Sequence, residues 1–160
     1  MAGFKGRFRV YNDFLNPEKS DVILSVGCKG GFFETRIVDK VGRIYAIDID
    51  KNEIEKNRQK EPRIIFGHCD ITKGTDFPGG HFDKVIFSEV IEHLPEGTEL
   101  EALKEINRVL KKDGTLLFST PNDCFVSKVS DPIWWVKNHR HYKIEKTRYL
   151  LENSGFKIER

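Results

Sequence analysis

The chain has 160 residues, of which 38% are hydrophobic, and its 27 Lys and Arg residues against 25 Asp and Glu leave a net charge of +2. This length predicts a single domain, residues 1–160, with enough chain for a packed core, and the composition excludes a disordered chain. The near balance of charge argues against nucleic acid as a partner.

The cysteines and the hydropathy of the sequence indicate what kind of protein this is and where it is located. Cys28, Cys69 and Cys124 are odd in number and far apart in the sequence, which argues against a disulfide framework. No Cys-x-x-Cys pair or His/Cys cluster has the spacing of zinc ligands. The basic start of the chain lacks the apolar run of a signal peptide, and no apolar stretch is long enough to span a membrane. We therefore expect a cytoplasmic protein without a membrane partner.

The first 20 residues carry no clear pattern. Four aromatic side chains there either form a lid over a site or pack on the edge of a sheet, namely Phe4, Phe8, Tyr11 and Phe14.

The stretch 21–33 carries the strongest local signal. Its apolar run 22–24 stops at three glycines, Gly27, Gly30 and Gly31. This pattern predicts a buried strand that enters a tight glycine turn, with a helix beginning behind it. Glycines allow backbone N–H groups to approach a ligand, and the N-terminus of a helix favours negative charge. The sequence therefore predicts a ligand-binding loop.

The rest of the chain alternates helical and strand patterns. The predicted elements, in order, are a helix that ends at Gly42, a strand from Arg43 to an acidic end, a helix over 51–60 capped by Asp50, a strand over 63–67, a loop over 73–81, a strand over 82–87, a helix over 98–112 ended by Asp113-Gly114, a strand over 115–119, an irregular stretch with Trp134 and Trp135, a helix over 144–153, and a sixth strand over 156–160.

This alternation predicts an α/β fold, a doubly wound and mostly parallel sheet with helices on both faces. In such sheets, ligands bind at the carboxyl ends of the strands, where the strand order reverses. Polar residues follow four of the predicted strands there: the glycine loop, then Asp48, then Asp70, then Ser88 with Glu89.

The glycine stretch resembles the nucleotide-binding loop of the class I S-adenosylmethionine-dependent methyltransferases, which have a Rossmann-like fold. Gly27 and Gly31 match the outer glycines, whereas Ser25 takes the place of the usual acid and Lys29 that of the middle glycine. Residues 82–94 resemble the fourth-strand motif of the ubiquinone-biosynthesis type. The tail from residue 138 resembles a His-x-Arg-aromatic element that covers the active-site mouth in this superfamily.

The resemblance covers residues 20–160 and implies a methyltransferase fold that lacks its last antiparallel strand. It implies S-adenosylmethionine as cofactor and methyl transfer to an acceptor that the sequence does not identify. Asp48 would bind the ribose, Ile49 would pack against the adenine, and Asp70 would accept from the adenine amino group. The implied cofactor-binding set is Ser25, Gly27, Cys28, Lys29, Gly31, Asp48, Ile49, Asp70, Ile71 and Ser88.

Glu89, His139 and His141 are the candidate catalytic residues, with the histidines as general bases because histidine titrates near neutral pH. Glu89, Glu92 and His93, completed by His139 or His141, also resemble the metal site of enzymes that methylate the 2′-hydroxyl at RNA 3′ ends. Many relatives carry the same run as an ordinary turn, so we assign no metal.

Other interpretations stay open. Ser25 and Lys29 remove a negative charge from the loop and add a positive one, which predicts weak binding of the cationic donor and leaves a degenerate, non-catalytic binding protein as an alternative. A dinucleotide oxidoreductase is disfavoured, because its loop has the spacing Gly-x-Gly-x-x-Gly. Exposed edges of sheets pair with other chains, so a homo-oligomer through the edge beside the fifth strand is a further expectation.

Overall fold

The computed structural model describes residues 2–121 and 140–159. Its helices and strands, in chain order, are α1 (Ala2–Leu15), β1 (Val22–Val26), α2 (Glu34–Ile37), β2 (Arg43–Asp48), α3 (Lys51–Lys60), β3 (Ile65–His68), β4 (Phe82–Ser88), α4 (Glu99–Val109), β5 (Leu110–Ser119) and α5 (Ile144–Asn153). Short 3-10 turns lie at Val38–Lys40, Ile71–Lys73 and Ile91–His93.

The five strands form one sheet in the order β3-β2-β1-β4-β5, and every neighbouring pair is parallel. The chain moves outward from β1 through β2 to β3 and then returns to the other side of β1 for β4. The strand order therefore reverses between β1 and β4, which is where such sheets bind ligands. The predicted α/β, doubly wound, parallel fold is confirmed.

Helices cover both faces of the sheet, and successive residues of a strand point to opposite faces. On β1, Leu24 and Val26 pack with the buried faces of α4 and α5, whereas Ile23 packs with Leu15 of α1 and Ile54 of α3. The strongly apolar β1 is thus buried on both sides, as its unbroken hydrophobic run requires.

The helix α1 occupies most of the first 20 residues, and of the two alternatives for their aromatic side chains, packing is the one found for Phe8, Tyr11 and Phe14. Its inward side chains Phe8, Tyr11, Phe14 and Leu15 follow the three-to-four residue spacing of one helix face. Phe8 and Tyr11 both contact the ring of Phe33, with centroids 5.3 Å and 6.1 Å apart. The aromatic residues therefore pack against the segment behind the glycine loop, and this packing brings α1 to the ligand end of the sheet.

The boundary between α4 and β5 also differs from the prediction. The helix ends at Val109, and Asp113-Gly114 lies inside the strand. Backbone N–H groups of Gly80 and His81 donate to the carbonyls of Arg108 and Val109, at 2.9 and 2.8 Å. These long-range bonds satisfy carbonyls at the helix end, and Leu110 then pairs with Phe82 across the sheet.

The predicted sixth strand is absent from residues 156–159. Instead Gly155 adopts φ +88°, and the backbone N–H of Phe156 donates to the carbonyl of Leu151 at 3.0 Å. This left-handed cap turns the chain back, so that Phe156 and Ile158 cover the core beside α5. Within residues 2–121 and 140–159, β5 is the last strand at its edge of the sheet, and association through that edge stays a prediction.

Among these same residues, no helix combines the length and hydropathy needed to cross a membrane. Trp134, Trp135, Cys124 and the candidate His139 lie outside the described residues.

Candidate active site

The glycine loop follows β1 and has a sharply bent backbone. Gly27 and Gly31 have φ values of +74° and +66°, a region that favours glycine. A side chain at Gly27 would also overlap the side chain of Val90, which follows β4. Gly30 has no such constraint, because a Cβ there would meet open space. The two outer glycines are therefore the ones that the backbone requires.

Lys29 adopts φ +44° between them, so a lysine holds the left-handed conformation that the resembled family gives to glycine. Its carbonyl accepts a hydrogen bond from the Nδ2 of Asn57, a buried side chain on α3. Its N–H donates to Asp48 Oδ2 at 2.7 Å. These two contacts fix the middle of the loop against α3 and the end of β2, although the residue itself is strained.

The strain at Lys29 gives a first testable expectation. A left-handed backbone costs a residue with a Cβ about 1–2 kcal/mol, and glycine recovers this cost but has more entropy to lose on folding. We expect Lys29→Gly to raise the free energy of unfolding by up to about 1 kcal/mol, as measured by urea denaturation. Lys29→Ala is the matched control, because it removes the charge and keeps the Cβ. Equal stability of the two variants would show that charge, and not backbone strain, sets the effect.

Asp48 ends β2 and faces the loop. Besides the bond from Lys29, its Oδ1 accepts from the backbone N–H of Asp50 at 2.9 Å. Asp50 in turn caps α3, accepting from the backbone N–H groups of Asn52 and Glu53. The cap predicted for Asp50 is confirmed, which leaves the Asp48 carboxylate aimed at the loop. Next to it, Ile49 is 66% exposed, so an apolar surface lies ready beside the carboxylate.

Asp70 follows β3 at the same end of the sheet. The backbone N–H of Cys69 donates to the Asp48 carbonyl at 2.9 Å, which places the two acidic residues on neighbouring strand ends. Asp70 Oδ1 accepts from the backbone and hydroxyl of Thr72, and Oδ2 pairs with Lys73. The Thr72 hydroxyl and Lys73 lower the pKa of Asp70 overall. The side chain of Asp70 therefore caps the 3-10 turn Ile71–Lys73, and the buried side chain of Ile71 anchors this turn in the core.

Ser25 lies within β1 and touches an acidic residue that sequence reasoning missed. Its hydroxyl donates to Glu34 Oε1 of α2, a carboxyl group that is only 3% exposed. Both residues line a cavity of about 140 Å³ beneath the glycine loop, together with Cys28, Tyr11 and Ser88. Burial raises the pKa of Glu34, although the Ser25 bond opposes that shift in part. A carboxyl group therefore does reach Ser25, and weak binding of the donor stays a prediction.

Cys28 is buried beside the same cavity. Burial, with the nearby carboxyl groups of Glu34 and Asp48, raises the pKa of this thiol. The thiol therefore stays protonated near neutral pH and contributes packing to the loop, without nucleophilic character.

A chain of hydroxyl groups joins the ends of β4 and β5. Tyr11 of α1 donates to Ser119 Oγ at 2.6 Å, and Ser88 Oγ lies 2.8 Å from Ser119 Oγ and 3.1 Å from the Tyr11 hydroxyl. Ser119 also lies 2.8 Å from Glu89 Oε1, to which it donates. Glu89 has φ +56°, a strained conformation for a residue with a side chain. The candidate Glu89 is thus held at the end of β5 by Ser119, whose hydroxyl also contacts Ser88 and Tyr11.

The turn after Glu89 is fixed from the other side by Arg140. Its guanidinium donates to the carbonyls of Ile91 and Leu94 and pairs with Glu99 at 2.6 Å. Tyr142 donates to the same carboxylate at 2.9 Å. Burial would raise the pKa of Glu99, but these partners and backbone N–H groups lower it overall. The Arg-aromatic element of the tail thus anchors the 3-10 turn Ile91–His93.

The metal hypothesis has no support in this part of the chain. Within residues 2–121 and 140–159, no three or more His, Cys, Asp or Glu side chains lie close enough to hold an ion. Glu92 and His93 lie on the 3-10 turn, where Glu92 is buried and accepts from Thr120 at 3.1 Å. His141 is half-buried and follows Arg140.

The predicted cofactor residues therefore lie within or soon after strands β1 to β4, toward the carboxyl ends of the sheet. Glu34, Tyr11, Asn57 and Ser119 join them there. A helical pattern in residues 8–15 was a usable signal for Tyr11, whereas Glu34 is one of many acidic residues and nothing in the sequence couples it to Ser25.

A family described as methyltransferase domain matches residues 24–118, which is more than half of the 160 residues. A relative from Mycolicibacterium smegmatis, named as a probable S-adenosylmethionine-dependent methyltransferase, is 29% identical over 137 residues, covering 86% of this chain and 52% of its own. A Mycobacterium tuberculosis protein named in the same way is 27% identical over 134 residues, covering 84% and 48%. The chain thus spans about half the length of these curated relatives.

Solved structures agree on the fold. An S-adenosylmethionine-dependent methyltransferase from Archaeoglobus fulgidus superposes with a TM-score of 0.79 at 21% identity, covering 96% of this chain and 68% of its own. Another from Methanosarcina mazei gives a TM-score of 0.80 at 16% identity, with coverage of 94% and 85%.

Proposed function

Because this chain belongs to the methyltransferase-domain family, that of the S-adenosylmethionine-dependent methyltransferases, we propose that it binds S-adenosylmethionine and transfers the methyl group to an acceptor. The observation that carries the proposal is the bond from the Lys29 N–H to Asp48. It holds the glycine loop in its binding shape although the middle glycine is replaced. The loop therefore retains the geometry that a degenerate member would be free to lose.

The residues present fit the cofactor. Asp48 offers a carboxylate for ribose hydroxyls, Ile49 offers an exposed apolar surface for a flat base, and the cavity beneath the loop offers a polar end. S-adenosylmethionine brings an activated methyl group on a sulfonium, so the main task of the chain is alignment of donor and acceptor.

Proton removal from an acceptor would fall to Glu89, whose carboxylate accepts from the Ser119 hydroxyl, itself in contact with Ser88. His141 is the second candidate, because it follows the anchored Arg140 and imidazole is the side chain that most often serves as a general base. We propose no acceptor class. Cytoplasmic location also remains a proposal, supported by three widely spaced cysteines.

The test is isothermal titration with S-adenosylmethionine and S-adenosylhomocysteine, with the dinucleotide NADH as control. We expect both adenosyl ligands to bind with one site per chain and NADH to give no heat of binding. Binding of NADH, with no binding of either adenosyl ligand, would contradict the proposal and revive the oxidoreductase alternative.

A further inference from the structure

Glu34 lies at a position where an ionised carboxylate is energetically unfavourable. Its carboxyl group lies in the cavity beneath the glycine loop, almost entirely removed from water. Ser25 donates a hydrogen bond to it. Within residues 2–121 and 140–159, no Lys, Arg or His forms a salt bridge with it. A buried carboxylate without a cation is costly, so such a group is expected to meet its cation in a ligand.

The surrounding groups provide no such cation. From β2, Asp48 contributes a negative charge that raises the pKa of Glu34. From the loop, the Cys28 thiol has a raised pKa, and from α1 Tyr11 lines the cavity while its hydroxyl donates to Ser119. On the β4 side, the cavity wall is Ile86 and Ser88. The cavity therefore presents an acid, uncharged hydrogen-bonding groups and apolar walls.

The cavity also lies at the correct place relative to Asp48. β1 runs between β2 and β4, so Asp48 stands on one side of the glycine loop and the wall from β4 on the other. A ligand with its ribose at Asp48 would extend across the loop into the cavity. S-adenosylmethionine has its ammonium group at the end of the molecule opposite the adenine.

We propose that Glu34 binds the ammonium group of S-adenosylmethionine and thereby supplies, from α2, the negative charge that Ser25 does not carry. This inference rests on the proposed function and concerns the same site. Ser25 then acts as a positioning residue, because its hydroxyl orients the Glu34 carboxylate. The acidic residue that the resembled family has in place of Ser25 on β1 is thus replaced at the same site by Glu34 on α2.

The proposal predicts that Glu34→Gln weakens binding of the ligand and raises the stability of the folded chain. With its pKa raised in the folded state, Glu34 binds its proton more tightly there than in the unfolded chain. Both states are protonated at a pH below the ordinary glutamate pKa of about 4.3. As pH rises through the raised pKa, the folded state alone bears the cost of ionising a buried group, so stability falls. Glu34→Gln removes this cost while it keeps an oxygen for Ser25.

The experiment compares the native chain and Glu34→Gln in titrations with three probes: S-adenosylmethionine, S-adenosylhomocysteine and 5′-deoxy-5′-methylthioadenosine, which lacks the amino-acid end. A charge-assisted hydrogen bond accounts for about 10- to 100-fold in affinity. We expect the variant to lose that factor for the two amino-acid-bearing ligands and to bind methylthioadenosine within about twofold of the native chain. We also expect its melting temperature without ligand to exceed the native one at pH 8, with the difference shrinking toward pH 5.

The outcomes separate the two levels of the proposal. Equal affinity of both proteins for S-adenosylmethionine, with methylthioadenosine bound, overturns the role of Glu34 and leaves the proposed function standing. An equal loss for all three ligands, or a variant less stable than the native chain at pH 8, also overturns it, because Glu34 would then be a structural residue. Failure of the native chain to bind any of the three overturns the proposed function itself.

Discussion

Replacement of Asp48 by Asn is expected to weaken binding of S-adenosylmethionine by at least about 100-fold, the largest effect on affinity that the site predicts. Two charge-assisted hydrogen bonds to ribose hydroxyls, each contributing about 1.5–3 kcal/mol, would be lost or weakened. The amide would also turn its NH₂ group toward one of two backbone donors, Lys29 or Asp50, which the carboxylate now accepts from. The glycine loop would then lose its hold on β2. Isothermal titration of the variant measures the effect.

Asp50→Asn is the matched control for this experiment. Asp50 lies two residues away and caps α3, and asparagine is about as good an N-cap as aspartate. This variant should bind S-adenosylmethionine within about twofold of the native chain and unfold at a similar temperature. Equal losses in the two variants would point to general damage at the end of β2, and an unaffected Asp48→Asn would refute the ribose assignment.

Removal of Arg140 should have the largest effect on stability. Its guanidinium donates to three carbonyls of the turn after Glu89 and to the carboxylate of Glu99, whose side chain is 9% exposed. Removing one partner of a buried ion pair leaves the other uncompensated, at a cost of about 3–5 kcal/mol. We expect Arg140→Ala to lower the free energy of unfolding by about 3 kcal/mol, at the low end because Tyr142 still donates to Glu99.

Urea denaturation measures this loss, and Arg148→Ala provides the control on α5. Arg148 pairs with Glu152 at 3.6 Å, and both side chains are more than half exposed. Such surface pairs contribute about 0–1 kcal/mol, so this variant should be close to the native stability. If Arg140→Ala costs no more than Arg148→Ala, the tail is not the anchor of the turn.

The local chemistry of several elements could be predicted from the sequence. Asp50 caps α3 as expected, because an aspartate directly before a helix can accept hydrogen bonds from the first backbone N–H groups of that helix. The bounds of α3 and α5 were also predictable, since Pro62 and Gly155 end helices by their own backbone restrictions. The order of strands and helices was likewise sufficient to predict a parallel, doubly wound sheet.

Other elements depended on partners that are distant in the sequence. α4 ends at Val109 because Gly80 and His81 donate to its last carbonyls, and neither residue is near it in the chain. Residues 156–159 are apolar enough for a strand, yet Phe156 and Ile158 pack against the core, which includes residues distant in the chain. In each case a tertiary contact outweighed a local preference.

The sequence by itself determined the fold class, the glycine loop and the acidic residue after β2, because backbone geometry and strand order follow from local residue types. Only the tertiary structure decided the charge of the cavity. Ser25 and Glu34 are nine residues apart, on a strand and on a helix, and their hydrogen bond exists because α2 packs on the face of β1 that Ser25 shares. Alignment along the sequence predicts that the site lacks an acidic residue at Ser25, whereas the packing of α2 on the sheet places Glu34 there.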